Sequence, residues 1–286
     1  MRSRRWQFLF PTRVMNFSYA ARVLILGFFM NNVLPARAGE FVRAHFGAQV
    51  IGKDKVVGNR TLVLATIASE RLADGLMLSL LFVIFALGVG GETLSKNLLY
   101  VATLFGVASL GVILVLIFRK RILKLAEVVS KRVGNKAAEF ALVRFEIFLH
   151  GLSPLCELRK LPIISLWTIA IWLIELCVYV AVTHAFDARL PLAACVLFLV
   201  TVNFSSLIPA APGGIGVIEA ITSTVLMSLG VTKEHALTMV FVQHLSQILV
   251  VGIPGAAIMI TWRRKIAALH GKISDPDPGS AAVSQG

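Results

Sequence analysis

From Asn97 to Phe118 the chain runs for twenty-two residues without a charged side chain. At 1.5 Å per residue a helix of that length is about 33 Å long, enough to cross the roughly 30 Å hydrocarbon layer of a bilayer. In hydrocarbon the backbone N–H and C=O groups must satisfy one another within the segment, so such a run is helical. Three further stretches reach crossing length: Thr61 to Gly90, Leu161 to Phe186 and Ala236 to Trp262. Hydrophobic residues make up 57% of the 286 positions and charged residues 15%, with a mean hydropathy of +0.82, more apolar than a water-soluble domain. The expected fold class is all-α, a polytopic transmembrane helical bundle.

A net charge of +13 invites a nucleic-acid reading, but the basic residues flank apolar spans and no recognition module accompanies them. Their placement fits membrane orientation instead. The polar connector 119–160 carries ten Lys or Arg against four Glu, which places it in the cytoplasm by the positive-inside rule. Arg37, Arg43, Lys53, Lys55 and Arg60 then face the cytoplasm, the turn with Glu92 and Lys96 faces out, and Arg2, Arg4, Arg5 and Arg13 also favour the cytoplasm. Under this topology 23 of the 28 Lys and Arg are cytoplasmic, and both termini lie on that side. Cys156, Cys177 and Cys195 lack a CxxC spacing and read as packing residues. No small-residue cleavage site follows the basic start, so targeting is expected to rest on the spans.

Two apolar stretches are too interrupted to cross. The first, within residues 14–48, stops at Pro35; the second, within 190–229, breaks at Pro212-Gly213-Gly214 and resumes as a short helix. Basic flanks on both sides of the first, and the direction in which 161–186 exits, make each a re-entrant hairpin, one entered from the cytoplasm and one from outside. Both breaks read Pro-Ala-x-x-Gly, at Pro35 to Gly39 and Pro209 to Gly213, and each hairpin precedes one crossing at 61–90 or 236–262. The halves therefore read as inverted repeats, an architecture that places substrate sites near the membrane midplane. The tail 274–286, rich in Asp, Pro, Gly and Ser, reads as disordered.

Asn31-Asn32-Val33-Leu34-Pro35-Ala36-Arg37-Ala38-Gly39-Glu40, Glu70-Arg71-Leu72-Ala73-Asp74-Gly75 and Pro212-Gly213-Gly214-Ile215-Gly216-Val217-Ile218-Glu219-Ala220 resemble three signature stretches of the lysylphosphatidylglycerol synthetase transmembrane-region family, the flippase-like membrane proteins. Their order and spacing fit, and the similarity covers nearly the whole chain. The resemblance implies a prokaryotic inner-membrane protein related to the flippase half of enzymes that aminoacylate phosphatidylglycerol and move the product outward. Relatives beside hopanoid, glycolipid and polyprenyl-linked sugar pathways leave the lipid open. Set against the two-part enzymes, the sequence reads as lacking the soluble aminoacyl-transferase domain and as beginning after one or two spans that many members carry.

Charged groups inside a membrane cost several kcal/mol each, about 3 on insertion scales, and so mark cavities or partners. Arg37, Glu40 and Arg43 stand three apart after the Pro35 break, either as a phosphate-binding helical face or as an interfacial helix with internal pairs. Glu70 and Asp74 share a face at i, i+4. Arg71 beside them neutralises a phosphate while a carboxylate holds an ammonium group or a proton, or the three lock the helix to the hairpin. Gly213 and Gly214 form a backbone-exposed turn at a helix start, an anion seat or a close-packing point, with Glu219 aimed into the same interior. Glu175, mid-span beside Trp172 and Tyr179, is a coupling carboxylate or a structural group, and His244 with Gln243 and Gln247 reads first as helix-to-helix hydrogen bonding. The connector, with Leu125, Val128 and Phe140 among basic residues, reads as amphipathic helices on the anionic inner leaflet.

These readings lead to a lipid translocator, with membrane lipids, anionic or phosphate-bearing, as partners and with no cofactor, metal or catalytic residue. The alternative is a membrane-embedded transferase, or an accessory subunit to a lipid-biosynthesis enzyme acting on polyprenyl-phosphate or glycolipid substrates. Against an intrinsic transferase stands the absence of a βαβ nucleotide-binding pattern in the sequence.

Overall fold

The computed structural model describes residues 1–11, 15–49, 56–89, 118–133, 136–188, 190–208 and 211–274, with isolated positions at 103, 107, 111 and 114. The expected crossing at 97–118, the turn with Glu92 and Lys96 and the tail beyond 274 lie outside the described residues, apart from those isolated positions and Phe118. Among the described residues all regular structure is helical. The α-helices are α1 (Arg2–Phe8), α2 (Phe17–Val33), α3 (Gly39–Ala48), α4 (Val56–Val89), α5 (Arg119–Val133), α6 (Lys136–Gly151), α7 (Leu161–Ala185), α8 (Leu192–Ser205), α9 (Val217–Ser228) and α10 (Lys233–Ser274).

Local chemistry sets the ends of the broken helices. Asn16 caps α2 by accepting the Tyr19 backbone N–H at 2.8 Å. At the other end Pro35 forces Leu34 into extended backbone (φ −96°, ψ 143°), which stops α2 before a short 3-10 turn at Pro35–Arg37. The second interruption is a 3-10 turn at Pro212–Gly214 between α8 and α9, with Gly213 at φ 68°. At about 1.5 Å per residue, none of the four hairpin arms reaches the roughly 30 Å of the hydrocarbon layer.

α7 (Leu161–Ala185) and the Lys233–Trp262 part of α10 are long and apolar enough to cross, and only 28% of the most apolar window of each is buried, so most of that apolar surface faces outward. α8 is the opposite case. Eleven of its fourteen residues are buried, as befits a helix apolar all round, and it forms the centre of the main core with Phe82, Trp172 and Tyr179.

The packing has a paired order. α2 packs on α3, α3 on α4, and α2 on α10; α8 packs on α9, α9 on α10, and α8 on α4. Each hairpin thus leans on the long helix that follows the other. Glycine permits the tightest approaches. A Cβ on Gly39 would fall 2.0 Å from the Gly27 carbonyl oxygen, so α2 meets α3 almost backbone to backbone, and one on Gly255 would fall 2.3 Å from Phe29 Cβ, so the Phe29 side chain of α2 seats against α10.

α1 corrects one expectation. Arg2 and Arg5, read as topological charges at the membrane face, point inward, and Arg5, Trp6 and Leu9 have no exposed surface. Trp6, Leu9 and Phe10 bury apolar area against α2 and α4, while carboxylates of α4 and α7 supply the counter-charge that lets the arginines follow. Cys177 corrects another: it is exposed on α7, so packing accounts only for buried Cys195. In the connector, Leu125, Val128 and Phe140 are exposed, whereas Leu149 and Leu152 pack on Ala65 of α4.

Candidate functional site

The two helix interruptions abut. Arg37 occupies the left-handed region (φ 55°), where a side chain costs about 1–2 kcal/mol relative to ordinary backbone. This bend carries its guanidinium to the end of α8, where Nη1 donates to the Ser206 carbonyl at 3.3 Å. In return, Gly213 of the second break lies against the Asn32 backbone of the first. Gly213, Gly214 and Gly216 all have positive φ, which leaves the second turn free of side-chain bulk where the chains meet.

Behind this junction lies a buried ionic cluster. Arg43 of α3 pairs with Glu70 of α4 and stacks over Trp6, its Cζ 4.3 Å from the ring centroid. Arg5 donates to both oxygens of Asp74, at 2.5 and 2.9 Å, lies 3.4 Å from Glu70, and donates to Thr168 at 3.1 Å. Asp74 also accepts from the Trp172 indole at 3.0 Å. Arg2 meets Glu175 at 2.6 Å and approaches Asp74 at 3.6 Å. The one-turn spacing of Glu70 and Asp74 aims both inward, and Arg71, one residue on from Glu70, emerges from a different face and reaches Glu40 at 2.9 Å.

In front of the cluster is a cavity of about 950 Å³, at the upper end of the usual range for ligand sites. Arg37, Glu40, Arg71, Asp74 and Glu175 line it, as do Gly213, Gly214 and His244. Its remaining wall is mostly apolar. Ile174 and Val178 of α7 and Val250 of α10 line it and are also 53%, 42% and 74% exposed, so the cavity opens through an apolar rim.

Apart from Glu219, which pairs with His244, four carboxylates (Glu40, Glu70, Asp74 and Glu175) meet five guanidiniums (Arg2, Arg5, Arg37, Arg43 and Arg71) among the described residues. At the cavity Arg37 and Arg71 share Glu40, the former only at 3.9 Å. Among the described residues no group of three or more His, Cys, Asp or Glu is placed to hold a metal.

The sequence-derived candidates thus divide. Arg37, Glu40, Arg71, Asp74, Glu175, Gly213 and Gly214 meet at one hollow; Arg43 and Glu70 lie behind it, paired with each other. Arg37, Glu40 and Arg43 do not form one helical face, because Arg37 belongs to the 3-10 turn and the two residues on α3 reach different partners. Glu219 stands one layer back. One of its oxygens accepts the Gly216 N–H at 2.6 Å and the other lies 2.5 Å from His244 Nδ1, while His244 Nε2 lies 3.0 Å from the Gly213 carbonyl. Sequence reasoning missed Arg2 and Arg5 as members of the site; the available signal was that Glu70, Asp74 and Glu175 on α4 and α7 outnumber Arg71, the cation beside them in the sequence.

The family described as Lysylphosphatidylglycerol synthase TM region has a sequence profile that matches residues 1–255. Neither the curated proteins nor the solved structures yield a match.

Proposed function

Starting from the fact that the chain belongs to the lysylphosphatidylglycerol synthase TM region family, and is therefore a membrane protein of a lipid-handling family, we propose that it translocates a phospholipid or lipid-linked polar headgroup across the cytoplasmic membrane. The observation that carries this reading is the pair of guanidiniums, Arg37 and Arg71, that share one carboxylate at a large cavity with an apolar side opening. A phosphate monoanion supplies a second counter-charge. Arg37 and Arg71 offer it forked donors, and the exposed Gly213–Gly214 backbone lets it approach closely. The acyl chains stay in the bilayer, leaving between Ile174 and Val178 on one side and Val250 on the other. Polar headgroups cross bilayers slowly because charge must leave water, and a groove that replaces water with fixed guanidiniums lowers that barrier.

The paired packing order supports two re-entrant hairpins in inverted repeat, since α2, α3 and α4 contact one another and the opposite unit in the same pattern as α8, α9 and α10. With the hairpins opening to opposite faces, this reading puts Arg37 and Gly213, at the touching tips, near the midplane. That is where a carrier that alternates access holds its cargo.

The test is reconstitution into liposomes containing fluorescent phosphatidylglycerol, with membrane-impermeant dithionite reporting headgroup exposure and mass spectrometry reporting covalent change. Exposure without modification supports translocation. A modified lipid supports the transferase alternative, and neither change refutes both. Arg71→Ala should slow exposure severalfold with protein abundance unchanged, because its ion pair with Glu40 is about one-quarter exposed and worth roughly 1 kcal/mol or less. Equal loss of abundance would make Arg71 a structural residue.

A further inference from the structure

We infer that Glu219 and His244 form a proton-binding site whose occupancy decides whether α10 holds the second helix break. His244 is 4% exposed, and both of its ring nitrogens face acceptors: the Glu219 carboxylate at 2.5 Å and the Gly213 carbonyl at 3.0 Å. A neutral imidazole has one N–H, and beside an ionised carboxylate it can serve only one of these two acceptors. The geometry is completed by one additional proton, carried either as an imidazolium facing a carboxylate or as a protonated Glu219 donating to Nδ1. In both arrangements Nε2–H holds Gly213. The extra proton belongs to the pair.

Loss of that proton to water forces a choice. If the remaining N–H stays on Nε2, a lone pair on Nδ1 faces an anionic oxygen at 2.5 Å and the two repel. If it moves to Nδ1, Nε2 presents a lone pair to the Gly213 carbonyl and the hold on the break is lost. Glu219 is itself anchored by the Gly216 N–H at the start of α9, so its carboxylate is fixed and the bond to Gly213 is the one to give way. Gly213 is a suitable element to release. It lines the cavity, its φ of 68° belongs to a flexible glycine turn, and it rests on Asn32 of the first break. Proton release therefore frees the contact between the two hairpin tips at the place where a headgroup would lie.

Other ionisable groups around His244 have their own partners. α7 presents Tyr179, which accepts from Gln243, and Glu175, held by Arg2; the first break presents Arg37, bonded to Ser206. On α8 the only ionisable side chain is Cys195, beside Thr183, and on α2 Tyr19 and Arg22 lie in the first six residues, away from the Asn32 end that meets the break. Glu219 is thus the carboxylate that directly sets the state of His244.

The role of this site in lipid movement rests on the translocation reading; the existence of the proton site does not. Full-length protein in nanodiscs, with ¹⁵N-histidine and ¹³C-glutamate, reports the pair directly by solid-state NMR, and His244→Gln identifies its signals among the six histidines. The expected result is a shared extra proton at low pH that is lost as the pH rises, and the loss of this transition in Glu219→Gln. A neutral His244 beside an ionised Glu219 at every pH overturns the proposal. In liposomes with fluorescent phosphatidylglycerol, a one-unit pH gradient, about tenfold in proton activity, should change the wild-type rate by up to that factor and leave the Glu219→Gln rate insensitive. Wild-type translocation indifferent to the gradient overturns the coupling. An NMR transition without any translocation supports the proton site and refutes the lipid reading.

Discussion

Replacing Arg5 with Met removes a guanidinium from a site with no solvent exposure and leaves the side-chain volume nearly unchanged, so its effect isolates the charge. Arg5 donates twice to Asp74, at 2.5 and 2.9 Å, and lies 3.4 Å from Glu70. Breaking a buried pair from one side costs about 3–5 kcal/mol, because the remaining ion is left without compensation. Asp74 keeps the Trp172 indole at 3.0 Å and Arg2 at 3.6 Å, and Glu70 keeps Arg43, so the lower end, about 3 kcal/mol, is the expectation. For a chain of this size that corresponds to a thermal midpoint lower by roughly 6–12 °C. Adding Asp74→Asn removes the stranded charge, and the midpoint of the double variant should return most of the way, since neutral replacements of buried pairs are often close to neutral in stability. The assay is thermal unfolding in detergent micelles with size-exclusion chromatography as a check on monodispersity. A single variant that loses less than about 1 kcal/mol, or a double variant no better than the single, would refute the reasoning that α1 is held by ionic compensation.

Gly39→Ala should separate the arms of the first hairpin, because the added Cβ would fall 2.0 Å from the Gly27 carbonyl; overpacking of this kind costs about 3 kcal/mol or more and would appear as reduced yield and a lower unfolding midpoint. Tyr179→Phe deletes the acceptor for Gln243 Nε2 at 3.0 Å in a buried setting, and the stranded donor should cost about 1–3 kcal/mol in the same unfolding assay, with Gln243→Leu on top of it recovering part of the loss.

Element boundaries were legible where backbone chemistry is local. Pro35 ends α2 by forcing its neighbour into extended backbone, the Pro212-Gly213-Gly214 run interrupts the second hairpin through positive φ, and the apolar stretch after Lys160, which carries Glu175 as its one carboxylate, makes α7. The one-turn spacing of Glu70 and Asp74 put them on the same face in advance. Less legible was that Arg37, Glu40 and Arg43 do not share a face, since the left-handed backbone at Arg37 is not written in the residue type. Arg2 and Arg5 were harder still. A cluster of arginines beside an apolar run reads as a membrane-face signal, and only the carboxylates on α4 and α7, distant in sequence, turn it inward.

Apolar runs, prolines and glycines by themselves determined that this chain forms membrane helices with two interruptions, because helix length in hydrocarbon and backbone dihedral limits depend on a few adjacent residues. Which charges neutralise one another was decided only by tertiary packing. Ion pairing acts over a few ångströms between segments that lie up to 173 positions apart, as with Arg2 and Glu175, so the sharing of Glu40 by Arg37 and Arg71 at the cavity is set only in the folded chain.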